Sequence, residues 1–380
     1  MLPTIYQNHL KSQLTKSQYL LLSLLITVLQ SVKNVRLETL AASIPLPILF
    51  ESRRKKLQRF LGLKGLGIEQ IWWPILKSIL IELIEPDQVV YIAIDRTSWS
   101  CINILIVSLI WDKRAWPIFW TILDKKGSSN YEEQKEILSK ALSQLKDYKT
   151  VVLGDREFCG VKLGYWLSKQ AVDFCLRLKK STFVEAETDL LIELRNLGLA
   201  PGMSLFIKEV RVTKQKGFGV FNVACKWQRK YRGFESDEGW FILTSLSTLS
   251  KAIVAYQKRF CIEEMFRDFK VGGYNLEGCK VECERLITLI LVMTIAYTSA
   301  TLKGRKIKRQ GIQKYIGRVK EAKRTERRHS SFYIGLYAHN WVSFWDECTD
   351  IVTQLMRLYP NKLPHYQKGL RAMSLIMSAS

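Results

Sequence analysis

Three consecutive apolar segments, followed by a segment of helical periodicity, occupy residues 89–145. The apolar segments are "VVYIAID", "INILIVSLIWD" and "AWPIFWTIL", and the sequence "NYEEQKEILSKALSQL" follows them. Short apolar runs between polar turns are typical of buried strands, whereas apolar residues spaced three and four apart indicate a helix. The sequence therefore predicts a three-stranded meander and then an amphipathic helix over residues 130–145.

The alternation of strands and helices continues to residue 180. "KTVVLGDREF" predicts a buried strand, "GVKLGYWLSKQ" predicts a helix, and "DFCLRLKK" predicts another strand. Because the meander is antiparallel and helical connections join parallel strands, the order βββαβαβ predicts an α/β sheet of mixed direction. This order resembles the ribonuclease-H-like fold.

Two aspartates are predicted to end two strands of this sheet. Asp95 closes the first apolar run and Asp155 closes the fourth. Divalent metal ions such as Mg²⁺ prefer oxygen ligands, and carboxylates at one edge of a sheet are a common way to provide them. Asp95 and Asp155 are therefore candidate metal ligands.

The stretch "YQKRFCIEEMFRDFK" at residues 256–270 holds two adjacent glutamates. On one continuous helix, with about 100° per residue, five residues share an arc of about 80°: Tyr256, Arg259, Glu263, Phe266 and Lys270. Glu264 falls outside this arc, so the geometry selects Glu263. A carboxylate flanked by tyrosine and cations suits a site that binds metal and anions. A solvated face with ion pairs between neighbouring turns is the alternative.

The net charge predicts a polyanionic partner. The 380 residues include 58 Lys and Arg against 35 Asp and Glu, for a net charge of +23, and an excess of this size is typical of proteins that bind nucleic acid.

Residues 1–88 are predicted to be helical. Residues 35–62 show a short helix, a proline-containing turn and a basic second helix, which suits a DNA-binding helix-turn-helix. Its candidate phosphate ligands are Arg53, Arg54, Lys55, Lys56 and Arg59. A basic solvated helix in a bundle is the alternative.

The rest of the chain completes a division into four regions. Short β-runs over residues 181–248 predict a β-rich insertion. The helical DNA-binding region is then 1–88, the catalytic core 89–180 with 249–303, and the basic C-terminal region 304–380.

Residues 302–328 carry 12 Lys and Arg against two Glu. They predict either a DNA or partner contact or a flexible solvated segment. The aromatic-rich residues 331–345 either pack on the core or form a protomer contact.

An apolar run at residues 286–302 is near the minimum length of a membrane span. It carries several Thr and Ser, and charges crowd both of its ends, so we predict a buried core helix and no membrane partner.

No secretory signal is apparent ahead of the eight cysteines. They are predicted to be reduced thiols in a cytoplasmic, nucleoid-associated protein.

The spacing Tyr-x2-Arg-x3-Glu-x6-Lys at residues 256–270 resembles the signature of DDE transposases from insertion sequences of the IS-four group. The resemblance extends, in the family's order, to "AIDRTSW", "LGDREF", "DFCLRLKK" and "WFILTSL", and spans about residues 89–280. It implies that Asp95, Asp155 and Glu263 bind two Mg²⁺ ions, with Mn²⁺ as a substitute. A β-rich insertion before the glutamate is also a feature of that group.

The resemblance further implies a role for the tryptophan of "WFILTS". Cut-and-paste members of the family can excise their element through a DNA hairpin, whose sharp bend leaves a base unstacked. The family's residues that hold the hairpin correspond to Arg177, Trp240, Tyr256 and Arg259. The alternative is that Trp240 is a core residue of an apolar strand.

These observations predict a cut-and-paste transposase. It would bind the inverted terminal ends of its own element, cleave the DNA with two Mg²⁺ ions and join the 3′-hydroxyl ends to target DNA. Synapsis of two ends implies a homodimer in the complex. A metal-dependent nuclease without strand transfer is the first alternative. A basic DNA-binding protein that has lost catalysis is the second, and the intact set of Asp95, Asp155 and Glu263 argues against it.

Overall fold

The chain forms two compact units in the computed structural model, which describes residues 2–85, 87–187, 190–213, 219–229, 237–318, 329–343 and 360–378. One unit comprises Met1–Glu82 with Asp268–Ser380, and the other comprises Leu83–Arg267. The four regions predicted from the sequence stay a prediction, since contacts between residues define only these two units.

The helices of both units are bounded as follows. In chain order they are α1 (Thr4–Gln13), α2 (Lys16–Val32), α3 (Leu37–Ser43), α4 (Phe50–Leu61), α5 (Trp73–Leu83), α6 (Tyr131–Gln144), α7 (Val161–Lys169), α8 (Leu249–Gln257), α9 (Phe260–Phe269), α10 (Cys283–Arg309), α11 (Ser331–Ser343) and α12 (Leu363–Ser378). Asn130 caps the N-terminus of α6 through reciprocal side-chain and backbone hydrogen bonds with Glu133, which satisfy amide groups that the first helical turn leaves free.

The strands lie in the unit Leu83–Arg267. In chain order they are β1 (Val90–Trp99), β2 (Ile102–Trp111), β3 (Arg114–Ile122), β4 (Thr150–Gly154), β5 (Asp173–Arg177), β6 (Phe183–Glu187), β7 (Leu190–Glu193), β8 (Ser204–Arg211), β9 (Val220–Lys226) and β10 (Trp240–Thr244). β6 and β7 form a hairpin of their own, which the sequence did not predict. The other strands form one eight-stranded sheet in the order β3-β2-β1-β4-β5-β10-β9-β8.

The direction of the strands confirms the predicted mixed sheet. β1 pairs antiparallel with β2, and β2 with β3. β4 runs parallel to both β1 and β5. This is the ribonuclease-H-like arrangement, a three-stranded meander extended by parallel strands. β10, β9 and β8 then continue the same sheet beyond β5 in antiparallel pairing. The strands of the predicted insertion therefore extend the central sheet.

Helices cover both faces of this sheet. The ring of Phe174 packs against Gly164 of α7, where an added Cβ would lie 3.3 Å from that ring. The next residue, Cys175, places its Sγ 3.7 Å from the carbonyl oxygen of Ala252 in α8. Successive side chains of a strand point to opposite faces. α7 and α8 therefore lie on opposite sides of the sheet, and the strands between them are buried.

The other unit is helical, and α10 forms its centre. α10 contacts α2 and α11, and Gly304 and Gly335 allow α10 and α11 to approach too closely for any side chain at either position. By length and composition alone α10 is apolar enough to cross a membrane, but 83% of its most apolar window is buried inside the protein. This burial confirms the predicted core helix. α10 also runs through the predicted boundary at residue 304.

The N-terminal segment adopts the predicted short helix, turn and basic helix. Leu57 and Phe60 of α4 are buried, whereas Arg59 is exposed and Arg53 and Arg54 are half-buried. Binding of DNA by α4 stays a prediction.

The described part of the aromatic-rich segment lies in α11. Phe332 and Leu336 are buried there, so this part of the segment packs into the core of the helical unit. Residues 319–328 of the basic segment and residues 344–345 of the aromatic segment lie outside the described ranges.

Candidate active site

Asp95 and Asp155 lie side by side where β1 and β4 separate. The parallel pairing of β1 with β4 ends at the pair Ile94 and Gly154. Asp95 is the next residue of β1, and Asp155 is the first residue after β4. The prediction that Asp95 ends its strand is wrong, because β1 remains paired with β2 as far as Trp99. Ladder hydrogen bonds involve only the backbone, so the polar residues after Asp95 prolong the strand.

The register of the sheet determines the face to which Asp95 points. Ala93, two residues earlier, is paired with Ser108 of β2, whose Oγ lies 3.6 Å from the sulfur of Met265 in α9. Paired residues and residues two apart share one face of a sheet. The side chain of Asp95 therefore lies on the face covered by α9, the helix that carries Glu263.

A close-packed turn orients Asp155. An added Cβ at Gly154 would lie 2.8 Å from the Cβ of Phe158, so glycine is required for the chain to fold back over this buried ring. Asp155 then caps a short 3₁₀ helix, and its Oδ1 accepts a hydrogen bond of 2.8 Å from the amide of Glu157.

The signature stretch forms two helices, so the predicted single helix is wrong at residues 258–259. α8 ends at Gln257 and α9 begins at Phe260. Hydrogen bonds between residues three apart, as in a 3₁₀ turn, join the two helices. The Arg259 amide, for example, donates to Tyr256 O at 3.0 Å. Lys270 follows the last residue of α9, and its Nζ lies 2.7 Å from Glu277 Oε1 in the helical unit.

Arg259 bridges two of the candidate catalytic carboxylates. Its Nη1 lies 3.5 Å from Asp95 Oδ2, and its Nη2 donates to Glu263 Oε1. Asp95 and Arg259 each expose 14% of their side chain, against 43% for Glu263. Glu264 instead pairs with Arg114 of β3 at 3.3 Å. The two adjacent glutamates therefore have different partners, and only Glu263 shares one with Asp95.

The electrostatic environment of Asp95 favours an additional cation. Burial raises the pKa of this carboxyl to about 7, and repulsion from Asp155 and Glu263 adds to the increase, while the Arg96 amide and the Arg259 charge oppose it. A carboxyl with a pKa near neutrality loses its proton readily when a cation stabilises the charged form.

The candidate carboxylates fit a divalent ion by donor type and by charge. Hard cations such as Mg²⁺ take oxygen ligands, and carboxylates are their usual protein ligands. Over the described ranges no three His, Cys, Asp or Glu residues are close enough together to hold a metal ion. The third carboxylate, Glu263, is bonded to Arg259, which supplies the positive charge at this position.

The four residues implied by the hairpin resemblance lie together. Trp240, half-buried at the start of β10, meets Tyr256 edge to face with 5.2 Å between ring centroids. Burial raises the pKa of the Tyr256 phenol, and the charges of Arg259 and Arg177 oppose this increase. Arg177 pairs with Glu238 at 2.8 Å. An aromatic pair flanked by two guanidinium groups therefore lies beside the carboxylates.

Two residues near the carboxylates were not assigned from the sequence. Arg96 follows Asp95, and Glu157 lies two residues after Asp155, so both belong to the quoted motifs "AIDRTSW" and "LGDREF". Their side chains form an ion pair with 2.9 Å between Arg96 Nε and Glu157 Oε2. Their position beside the aspartates in the sequence could have marked them as residues near the site. No pattern in the sequence, however, indicated that their side chains contact each other.

The fold and the site define a ribonuclease-H-like α/β protein with acidic residues at the divergence of its central parallel strands. Residues 121–299 match the family model of a transposase DDE domain. This range includes Asp155 and Glu263 and begins after Asp95. The match supports a DDE transposase, an enzyme that binds, cleaves and joins DNA and belongs to a class that generally uses divalent metal ions.

Among solved structures, the chain is similar to a piggyBac transposase synaptic complex with hairpin DNA, determined by cryo-EM. The TM-score is 0.43 and the identity 12%, over 90% of this chain and 77% of that one. No function follows from a similarity of this size. No curated protein matches the sequence.

Proposed function

We propose that the protein is a cut-and-paste transposase of the IS-four group with its Y-R-E-K signature. It binds the inverted terminal ends of its insertion sequence, cleaves them and joins the 3′-hydroxyl ends to target DNA. The observation that carries this proposal is the position of Asp95 and Asp155 beyond the last β1–β4 pair, with Asp95 on the face of the sheet that the helix of Glu263 covers.

Asp95, Asp155 and Glu263 would hold two Mg²⁺ ions, or Mn²⁺ in their place. Two such ions activate the attacking hydroxyl and stabilise the leaving oxygen of an in-line displacement. The protein's own contribution is to hold three carboxylates, two of them where β1 and β4 separate and the third on α9. Arg259, which now pairs with Asp95 and Glu263, becomes available to a phosphate oxygen once those carboxylates take another cation. A guanidinium can bind phosphate through two parallel hydrogen bonds.

The aromatic pair of Trp240 and Tyr256 supports excision through a hairpin. A hairpin at the element end leaves a base unstacked, and an indole face can stabilise such a base by about 1–3 kcal/mol. Arg177 and Arg259 flank the pair and can hold the phosphates of the bent strand. Trp240 is half-buried, so part of its ring is accessible to DNA without unfolding of β10.

The basic charge supports binding both of the element ends and of the target DNA. A net charge of +23 favours contacts with phosphates, which position a duplex without reading its sequence. Arg53, Arg54 and Arg59 on α4, with Lys270, are the proposed phosphate ligands outside the carboxylate cluster. Cleavage of two ends together implies a homodimer in the synaptic complex. The proposed location is the cytoplasm, on the nucleoid.

Strand transfer separates this proposal from its alternatives. DNA that flanks the gene supplies candidate inverted ends, which are placed on a labelled linear fragment and incubated with protein, Mg²⁺ and supercoiled plasmid. Label covalently joined to plasmid supports the transposase. Cut ends that are never joined indicate a nuclease, and bound but uncut ends indicate a protein that has lost catalysis. Asp155→Asn serves as the uncut control.

A further inference from the structure

An ion pair between Arg96 and Glu157 joins the two strands that carry the catalytic aspartates. Arg96 Nε donates to both carboxylate oxygens of Glu157, at 3.1 and 2.9 Å. The two side chains expose only 19% and 13% of their surface. Arg96 belongs to β1 and Glu157 to the short helix after β4, so the pair crosses the point where these strands separate.

This ion pair lies on the opposite face of the sheet from the side chain of Asp95. Arg96 is the next residue of the same strand, and successive side chains alternate between faces. Its partners agree with this position, since Glu157 also accepts hydrogen bonds from Ser129, which immediately precedes the N-cap residue of α6. The pair is therefore not positioned to bind metal or DNA together with Asp95.

The backbone of each paired residue nevertheless contacts one aspartate. The Arg96 amide donates to Asp95 Oδ1 at 2.7 Å. The Glu157 amide donates to Asp155 Oδ1 at 2.8 Å. The two residues that orient the carboxylates through their amides are thus the same two that bond to each other through their side chains.

Neighbouring polar groups hold the ion pair rigidly. Ser129 donates to Glu157 Oε1 from both its amide and its hydroxyl, each at 2.7 Å. Asn103 of β2 accepts from Arg96 Nη1 at 3.0 Å and donates to the carbonyl of Lys125 at 2.8 Å. A polar network with its groups satisfied resists displacement, because breaking any member leaves a poorly solvated group without a partner.

We propose that Arg96 and Glu157 are positioning residues, which keep the carboxylates of Asp95 and Asp155 at a fixed separation and thereby set the affinity of the site for its divalent ion. This inference rests on the proposed function. Partners that orient metal ligands typically contribute a factor of about 10–100 to metal affinity. Loss of the ion pair allows the ends of β1 and β4 to move independently.

The test compares Glu157→Gln and Arg96→Lys with Glu264→Gln in the full-length protein. Glutamine at 157 keeps an acceptor for Ser129 but removes the charge that holds Arg96. Glu264→Gln is the matched control, since Glu264 pairs with Arg114 at similar burial, 16% and 11% exposed, in the same unit. Binding of Mn²⁺ alone to the DNA-free protein is measured by electron paramagnetic resonance of the free ion, beside a thermal melt.

We expect Glu157→Gln and Arg96→Lys to raise the dissociation constant for Mn²⁺ by about tenfold or more, while Glu264→Gln changes it by less than about twofold. Cleavage by Glu157→Gln should recover at high Mn²⁺, which a general loss of folding would not permit. Ser129→Ala, which removes only one donor, provides a milder variant if Glu157→Gln melts early, and it should weaken Mn²⁺ binding in the same direction.

Equal Mn²⁺ affinity in Glu157→Gln and Glu264→Gln, with joining of DNA ends intact in the wild type, would overturn the positioning role and leave the transposase proposal standing. Conversely, Mn²⁺ affinity that depends on Glu157 in a wild-type protein that never joins ends would support the positioning role while removing the proposed function.

Discussion

The guanidinium group of Arg259 lies 3.5 Å from the carboxylate of Asp95, from Nη1 to Oδ2, and its other nitrogen donates to Glu263. A side chain proposed to bind phosphate is thus held by two side chains proposed to bind metal. Opposite charges stabilise one another strongly where water is partly excluded, so this cation offsets the repulsion among the carboxylates.

Arg259→Gln should lower the melting temperature of the metal-free protein by a few degrees, because the largely buried carboxylate of Asp95 and the exposed carboxylate of Glu263 lose their cation. A loss of about 1 kcal/mol shifts the midpoint of a 150–250-residue unit by about 2–4 °C. Added Mg²⁺ should then raise the melting temperature more in the variant than in the wild type, where the ion must displace an existing ion pair. Both effects are read from one series of thermal melts.

Arg267→Gln is the control for this comparison. Arg267 lies on the same helix and pairs with Glu264, but 63% of its side chain is exposed, and exposed pairs contribute little to stability. A smaller response to Mg²⁺ in Arg259→Gln than in the wild type would contradict the role of Arg259 as the resident cation.

Asp95→Ala, Asp155→Ala and Glu263→Ala should each abolish DNA cleavage while binding of the element ends persists. These carboxylates are proposed to hold metal, and DNA affinity comes mainly from basic residues. Glu264→Ala should lose some thermal stability, because its partly buried ion pair with Arg114 is lost, yet retain cleavage. Gel assays of nicking and of mobility shift on the same labelled ends measure both properties. An essential Glu264 beside a dispensable Glu263 would show that the assignment is wrong.

Trp240→Ala should leave folding and first-strand nicking nearly intact and slow the formation or opening of the hairpin. The ring is half-buried and rests edge to face on Tyr256, so its removal exposes little core. Trp116→Ala is the contrasting variant, since Trp116 is fully buried and its loss should cost about 3–5 kcal/mol. A gel that resolves nicked, hairpin and blunt ends, read beside a melt, distinguishes the roles. Parallel loss of every step and of stability in Trp240→Ala would identify a core residue.

Binding of the element ends should weaken steeply with salt. Each neutralised phosphate contributes about 0.9 to the slope of log affinity against log salt concentration, so six contacts predict a slope near −5. Arg59, exposed on α4, is a candidate contact, and Arg59→Gln should reduce the slope by about one. Fluorescence anisotropy between 50 and 200 mM salt measures both slopes. A nearly flat titration would exclude phosphate contacts as the reason for the basic charge.

Much of the sheet was predictable because its signal is local. An apolar strand buried on both faces shows as an unbroken apolar run, and a helix on its surface shows the 3.6-residue period. β1 to β5, α6 and α7 therefore follow the predicted order. The hairpin of β6 and β7 was missed because its strands are short and mixed in polarity. The full length of β1 was missed because hydrogen bonds to β2 need no apolar side chains.

The sequence by itself determined the type of fold, because strand polarity and helical spacing are properties of neighbours along the chain. It also named the three candidate carboxylates and preferred Glu263 to Glu264, and both of these stay predictions. Only the tertiary structure decided that Arg259 bridges Asp95 and Glu263 and that Lys270 pairs with Glu277. It alone also decided that Arg96 pairs with Glu157 on the face of the sheet opposite the side chain of Asp95. The physical reason is that each of these contacts depends on strand register or on a helix break. Register is set by pairing between segments distant in the chain, and a one-residue change would place every side chain on the other face.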